Sequence, residues 1–360
     1  MNPQEQVCHN PGCWVYGCKG AGQIVIHSQK EQRYRCKRCG KTFSATKDTA
    51  LYRVHHPTAV FVTVVTLLAH GCPVQAIVTA FMLDERTVAD WQRRAGRQCE
   101  RVQRELVQSG QVTLGQVQAD EMWVRAVGTA GKRRAVWLAM AISVTSRLWL
   151  GGVVRERRDH HLIYTLLTQV RACGAVSTLL LCTDGLKSYP TQAVRVFRQA
   201  VRIQRRGRPR LVLPDGVLVA QVVKQYAKRR VTAVAQRVVR GCRGAVVATL
   251  LTTQGTSTIT TAHIERLNAT FRARLAPLVR RGRAAVHQRA TLEWGMWVVG
   301  VVYNCCTPHR SLAGQTPAQA AGLTDHCWTL HELLTLPVPL PTVKHQGRPP
   351  TWLRKIAHAP

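Results

Sequence analysis

Acidic residues are scarce in this chain. Its 360 residues carry 18 Asp and Glu against 51 Lys and Arg, a net charge of +33. From His160 to His263 the only acids are Asp184 and Asp215. A positive field of this size makes nucleic acid the leading partner, and an anionic membrane surface the weaker alternative. Long apolar runs are also missing. No stretch approaches 18 consecutive uncharged apolar residues, so a spanning helix is not expected. The opening segment "MNPQEQVCHN" lacks the apolar core of a signal peptide, which makes the cytoplasm the default expectation. A secreted disulfide scaffold is excluded as well: such frameworks belong to small domains, and this chain is long, with 13 scattered cysteines.

What is present begins with those cysteines. Five lie in the first 39 residues. Cys36 and Cys39 form a C-x2-C knuckle followed by Gly40, and Cys8 and Cys13 form C-x4-C. Four thiolates on two such turns close a tetrahedral Zn2+ site. The short strands "QIVIHS" and "QRYRCK" between them complete a zinc ribbon. Cys18 competes with Cys8 or Cys13 as a ligand, and His9 is a weaker competitor.

Three helices follow. "HPTAVFVTVVTLLAHG" starts near Pro57 and stops at Gly71, and "PVQAIVTAFM" is the second. "LDERTVADWQRRAG" is the third, with Asp84 as its N-cap. Val88, Trp91 and Ala95 share one face, which leaves Arg86, Thr87, Arg93 and Arg94 free to meet DNA. A short helix, a tight turn and a basic helix match a helix-turn-helix, and a plain helical bundle would give the same pattern. "RQCERVQRELVQSGQ" reads as a linking helix.

From Val112 the texture becomes that of strands. "VTLGQVQADEMWVRAV", "AVWLAMAISV" and "RLWLGGVVRE" are joined by hairpin turns, the first at "GTAGKRR". A helix, "DHHLIYTLLTQVRACG", leads to a fourth strand, "STLLLCTDG", that ends on Asp184. This order is that of a ribonuclease-H-like fold, in which acids on the first and fourth strands meet. Alternation along a strand implies that Asp120 and Glu121 cannot both face one site, and either could be the first acid. Paired buried carboxylates call for a cation, and Mg2+ takes such hard oxygen ligands. A later helix supplies the third acid at Glu265. Asn268 and Arg272, three and seven residues on, share its face and are candidates for contacting DNA. Two metal ions in such a site activate a nucleophile and stabilise the leaving 3′ oxygen.

With these residues in view, the chain resembles DDE-type insertion-sequence transposases, most of all the group around insertion sequence one. The similarity rests on "RYRCKRCGKTFS", "QADEMW", "TDGLKSY", "HIERLNATFRAR" and the tail "VYNCCTPHRSLAGQTPAQAAGL". It implies a multidomain α+β chain. Residues 1–50 would be the zinc ribbon and 51–111 the helix-turn-helix with its linker helix. Residues 112–322 would be the ribonuclease-H-like catalytic domain, and 323–360 a C-terminal tail. It further implies Asp120, Asp184 and Glu265 as the catalytic triad holding two Mg2+ (or Mn2+) ions. The substrate would be the inverted-repeat ends of a mobile element, handled by a homo-oligomer in a synaptic complex. The stretch 207–255 exceeds what such a core needs. "GVLVAQVVKQYAKRRVTAVAQRVVRG" therefore reads as an inserted basic β-hairpin turning near Ala227-Lys228, with a pair of helices as the alternative. Competing functions are a catalytically inactive DNA-binding regulator and a ribonuclease-H-like nuclease.

Overall fold

The computed structural model describes residues 2–20, 22–127, 133–202, 208–227, 230–280, 282 and 284–340. The expected turn at "GTAGKRR", the hairpin turn residue Lys228 and the tail beyond residue 340 thus lie wholly or partly outside the described residues. The chain divides into two units, Met1–Thr58 with Leu334–Pro360, and Ala59–Leu333.

The smaller unit holds an antiparallel sheet of β1 (Ile24–Ser28), β2 (Arg33–Cys36) and β3 (Thr42–Ser44), in that order. The first two are the expected strands and the third was not foreseen. Val15, Ile24, Tyr34 and Phe43 pack around Cys8, Cys13 and Cys36. So small an apolar cluster does not stabilise a fold by burial alone.

The larger unit opens with α1 (Thr58–Ala69), α2 (Val74–Phe81) and α3 (Glu85–Leu106). Asp84 caps α3 by accepting from the Arg86 amide, and Val88, Trp91 and Ala95 form its buried stripe. The stripe continues through Cys99 and Val102, so the expected linking helix is the second half of α3. Gly96 does not break the helix because it is a packing contact. A Cβ there would lie 2.6 Å from the Trp294 Cβ of α8 (Arg289–Cys305).

Next come β4 (Gly115–Val127), β5 (Arg133–Ser143), β6 (Trp149–Arg155), α4 (His160–Cys173), β7 (Leu179–Asp184) and α5 (Ser188–Phe197). A small ladder of β8 (Gln199–Val201) and β9 (Arg210–Val212) precedes β10 (Val217–Ala227), β11 (Arg230–Arg240), α6 (Arg243–Gln254) and α7 (Ala262–Arg274). Beyond α8 lie α9 (Pro317–Ala320) and α10 (Leu330–Thr335). The main sheet is mixed, with order β11-β10-β7-β4-β5-β6. The first three strands of the unit pair antiparallel, whereas β7 is parallel to both β4 and β10.

One expectation needs correcting here. Residues 217–240 do form a β-hairpin, but it is not an insertion beside the core. Val217–Val222 of β10 pair with Leu179–Asp184 of β7 and are buried. Leu218, Ala220 and Val222 then pack with Val246 and Leu250 of α6. The apolar alternation at the start of the stretch is thus that of a core strand, and the rest of β10 with the exposed β11 extends beyond it.

Two adjacent glycines show which helices cover which face. A Cβ on Gly151 would meet Gln169 of α4, and one on Gly152 would meet Met296 of α8. Successive residues of a strand point to opposite faces, so α4 and α8 lie on opposite sides of β6. On the α8 side, Asn304 accepts from the Trp149 amide at 2.8 Å and donates to its carbonyl at 2.9 Å. The "YNCCTPHRSL" tail thereby closes the edge of the sheet.

Candidate active site

One face of β4 builds the site. Gln116, Gln118 and Asp120 alternate along it, and each is tied to the segment from α6 to α7. Gln116 donates to Gln254 at 3.1 Å and accepts from Thr253. The buried Gln118 accepts from the amides of His263 and Ile264 at 2.9 and 3.0 Å and donates to the Thr260 carbonyl at 2.8 Å. Those amides are free donors at the start of α7, where a helix has no internal partner for them. Asp120 accepts from the Asn268 amide at 2.8 Å, one turn further along α7. The helix that carries Glu265 is therefore pinned to the strand that carries Asp120.

Asp184 closes β7. Its Oδ1 accepts from the Leu186 amide at 3.0 Å, and its carbonyl accepts from Gln221 of β10 at 2.7 Å. Asp120, Asp184, Glu265, Asn268, Arg272 and Arg158 all line one open cleft of about 1250 Å3. One oxygen each from Asp120, Glu121 and Asp184 lies within 4.8 Å of the others. The expectation that strand alternation keeps Glu121 away from Asp120 is corrected by this. The pairing of β4 with β7 stops at Ala119–Thr183. Beyond the strand end, the longer glutamate side chain reaches the Asp184 carboxylate from the other face.

The electrostatics are those of crowded acids. Burial, then the neighbouring Glu121 charge, with Asp184 and Glu265 behind it, pushes Asp120 up to about 7. Burial and the Asp184 charge also raise Glu121, against the pull of Arg158. Arg158 donates to Glu121 at 2.6 and 3.1 Å and to Asp184 at 3.2 Å. Glu265 stands in the same cleft, outside the tight group of three. Its Oε1 accepts from Lys224 of β10 at 2.7 Å and from Thr261 at 3.0 Å. Burial opposes its ionisation, but these partners outweigh it and hold the carboxyl below the usual range.

The residues expected to contact DNA are placed differently from one another. Arg86 is exposed near the start of α3 and Thr87 is half-buried. Arg93 and Arg94 are both ion-paired with Asp90 within the same helix. Asn268 is 1% exposed, and its amide is committed to Asp120, so it braces an acid and does not face a duplex. Arg272 is half-buried along the cleft.

In the smaller unit, the Sγ atoms of Cys8, Cys13, Cys36 and Cys39 lie within 4.8 Å of one another, a group able to hold a metal ion. Cys8 and Cys39 are 3.7 Å apart. Cys18 is exposed, stands outside the group, and points its thiol at the Tyr16 carbonyl. Asp48 bonds the His9 ring, so the imidazole is engaged away from the thiols.

Sequence reasoning missed Gln118, Arg158 and Lys224. Gln118 did leave a signal: Gln116, Gln118 and Asp120 are polar at every second position of an otherwise apolar strand. Arg158 and Lys224 left none, being two cations among many.

No family model matches the sequence, and no curated protein matches it. Among solved structures, a cryo-EM structure of a piggyBac transposase synaptic complex with hairpin DNA aligns with 90% of this chain and 76% of its own. The TM-score is 0.36 at 10% identity, too loose to assign a fold or an activity. Among the described residues no helix is long and apolar enough to cross a membrane.

Proposed function

We propose that the chain is a DDE-type DNA transposase that cleaves at the ends of a mobile element and joins the freed 3′ hydroxyl to target DNA. The observation that carries this reading is the meeting of Asp120 and Asp184 at the ends of adjacent parallel strands, with the Glu265 helix clamped to the first of them by Gln118. The sheet order β10-β7-β4-β5-β6, with three antiparallel strands leading, supports a ribonuclease-H-like core.

The donor set fits hard divalent cations. It is all oxygen, and three carboxylates stand close enough that one resists ionisation. Bound there, Mg2+ or Mn2+ would supply Lewis acidity toward the phosphate and an activated water or 3′ hydroxyl. Asp120 and Asp184 would hold the ions, with Glu265 as third ligand once Lys224 releases it. Asn268 fixes the orientation of Asp120, and Gln221 fixes the backbone of Asp184. Arg272 would meet DNA phosphate along the cleft. In the smaller unit, four thiolates fit Zn2+. The edge of a tetrahedron with Zn–S bonds of about 2.3 Å is about 3.8 Å, close to the 3.7 Å between Cys8 and Cys39. Arg86 and Thr87, with Arg93 and Arg94 behind them, would lie against the DNA, and oligomers of the chain would bring two ends together.

The deciding experiment is Mg2+-dependent cleavage and joining of duplexes carrying the element's ends, found as inverted repeats flanking the coding region. Asp120→Asn, Asp184→Asn and Glu265→Gln should each lower the rate at least about a thousandfold while DNA binding persists. A wild-type protein as inert as Glu265→Gln, with both still binding DNA, leaves the regulator reading instead. The 4.8 Å grouping favours one variant of the main reading, with Glu121 as third ligand. Loss of activity in Glu121→Gln but not in Glu265→Gln would select it.

A further inference from the structure

Arg158 lies between β6 and α4, outside every motif noted in the sequence, yet its guanidinium lines the cleft. Its Nε and Nη2 both donate to Glu121 Oε2, at 3.1 and 2.6 Å. That carboxylate has a fully buried side chain. The guanidinium also stands 5.1 Å from the Trp137 ring centroid. One edge is thus anchored by a buried acid and one face borders an aromatic ring. What remains is directed at the reacting carboxylates: Nη2 also reaches Asp184 at 3.2 Å. Among the described residues, Nη1 makes no hydrogen bond.

A buried glutamate needs a cation, and that need alone would explain the contacts to Glu121. It does not explain a guanidinium that reaches on to Asp184 at the rim of an open cleft. Arginine offers a rigid fork of donors that matches phosphate oxygens, and anchoring one edge lowers the entropy cost of presenting the other.

We propose that Arg158, anchored by Glu121, positions a phosphate of the bound nucleic-acid strand beside Asp184. This rests on reading the cleft as a site of nucleic-acid chemistry. Without a divalent cation, Arg158 pairs with Asp184. A cation on that carboxylate competes for the same oxygens and repels the guanidinium, which frees Nη2 and Nη1 for a non-bridging phosphate oxygen. Arg158 is a positioning residue and transfers no proton.

The test is duplex binding by the full-length protein, followed by fluorescence anisotropy across a KCl series with Ca2+ as the cation, so that binding is read apart from turnover. The paired variant Glu121→Leu with Arg158→Met removes the buried ion pair without stranding either charge. It should melt close to wild type, while its slope of log affinity against log salt becomes less negative by about 0.9, the value of one phosphate contact. A paired variant that melts normally and keeps the wild-type slope overturns the proposal and leaves Arg158 as a counter-charge for Glu121. If the paired variant does not fold, Arg158→Lys decides. It keeps the charge but loses the fork, and should weaken binding about tenfold with little change in slope; unchanged affinity overturns the proposal. A wild-type protein that binds no duplex at any salt instead sinks the functional reading beneath it.

Discussion

The two candidate metal centres of this chain are built on opposite plans. The cysteine group takes its four ligands from two short turns within 32 residues, and its sulfurs already stand at tetrahedral spacing. Nothing but thiols and a small apolar cluster surrounds it. The acidic cleft draws on a strand, a second strand end and a helix more than 140 residues from the first acid. Protein cations occupy it, Arg158 on Glu121 and Asp184 and Lys224 on Glu265. A closed set of soft ligands holds a metal for the sake of the fold, whereas an open set of hard ligands, with charges that must be exchanged, holds one for chemistry. The first centre should therefore fail as a structure and the second as an enzyme.

The largest effect should follow zinc removal. Structural zinc contributes roughly 10 kcal/mol or more of apparent folding energy, and the smaller unit has little apolar core to replace it. Cys36→Ser should abolish zinc binding and render residues 1–58 sensitive to protease, while the larger unit resists. A zinc-free protein with an intact, protease-resistant ribbon would break the contrast.

Next in size is Gln118→Ala. It strands two amides at the start of α7 and the Thr260 carbonyl, at about 1–3 kcal/mol for the group as a whole. Melting temperature should fall, and hydrogen exchange should rise at His263 and Ile264 before the rest of the sheet. An unchanged exchange pattern would show that Gln118 does not hold the helix.

A pH dependence follows from Asp120. Its carboxyl is raised by burial and by neighbouring charges to about 7, above its unfolded value of 3.8. The native state therefore binds the proton more tightly, and this contribution to stability is lost as pH rises from about 4 to about 7. Without added divalent cation, the melting temperature should decline across that window. Mg2+ should restore it, and Asp120→Asn should flatten it. A slope that survives in Asp120→Asn belongs to other groups.

The smallest effect should be that of Cys18→Ser. The thiol is exposed and outside the metal group, so zinc content and stability should match wild type. A drop in bound zinc would place Cys18 among the ligands.

Local signals were the readable ones. The two cysteine turns, the Asp84 cap and the apolar runs of β5 and β7 depend on neighbours within a few residues, and the sequence displays them directly. Long-range pairing was not readable. The start of β10 looked like an arm because nothing in "GVLVAQVV" says that its partner is "LLLCTD", 38 residues earlier in register. Asn268 looked like a surface amide because its helical spacing gives a face without saying what that face meets. Glu121 was set aside on strand alternation, which governs where a Cβ points but not where a longer side chain ends.

The exposed ribbon of β10 and β11 has a mechanical meaning. Arg237 of β11 donates twice to Gln221, at 2.6 and 3.1 Å, and the other end of that amide holds the backbone at Asp184 and Leu186. The same β10 carries Lys224, the cation on Glu265. A load that bends the ribbon is thus felt at two of the three proposed ligands through single side chains. The ribbon is a handle on the cleft, and whatever grips it from outside gains leverage over the spacing of the acids.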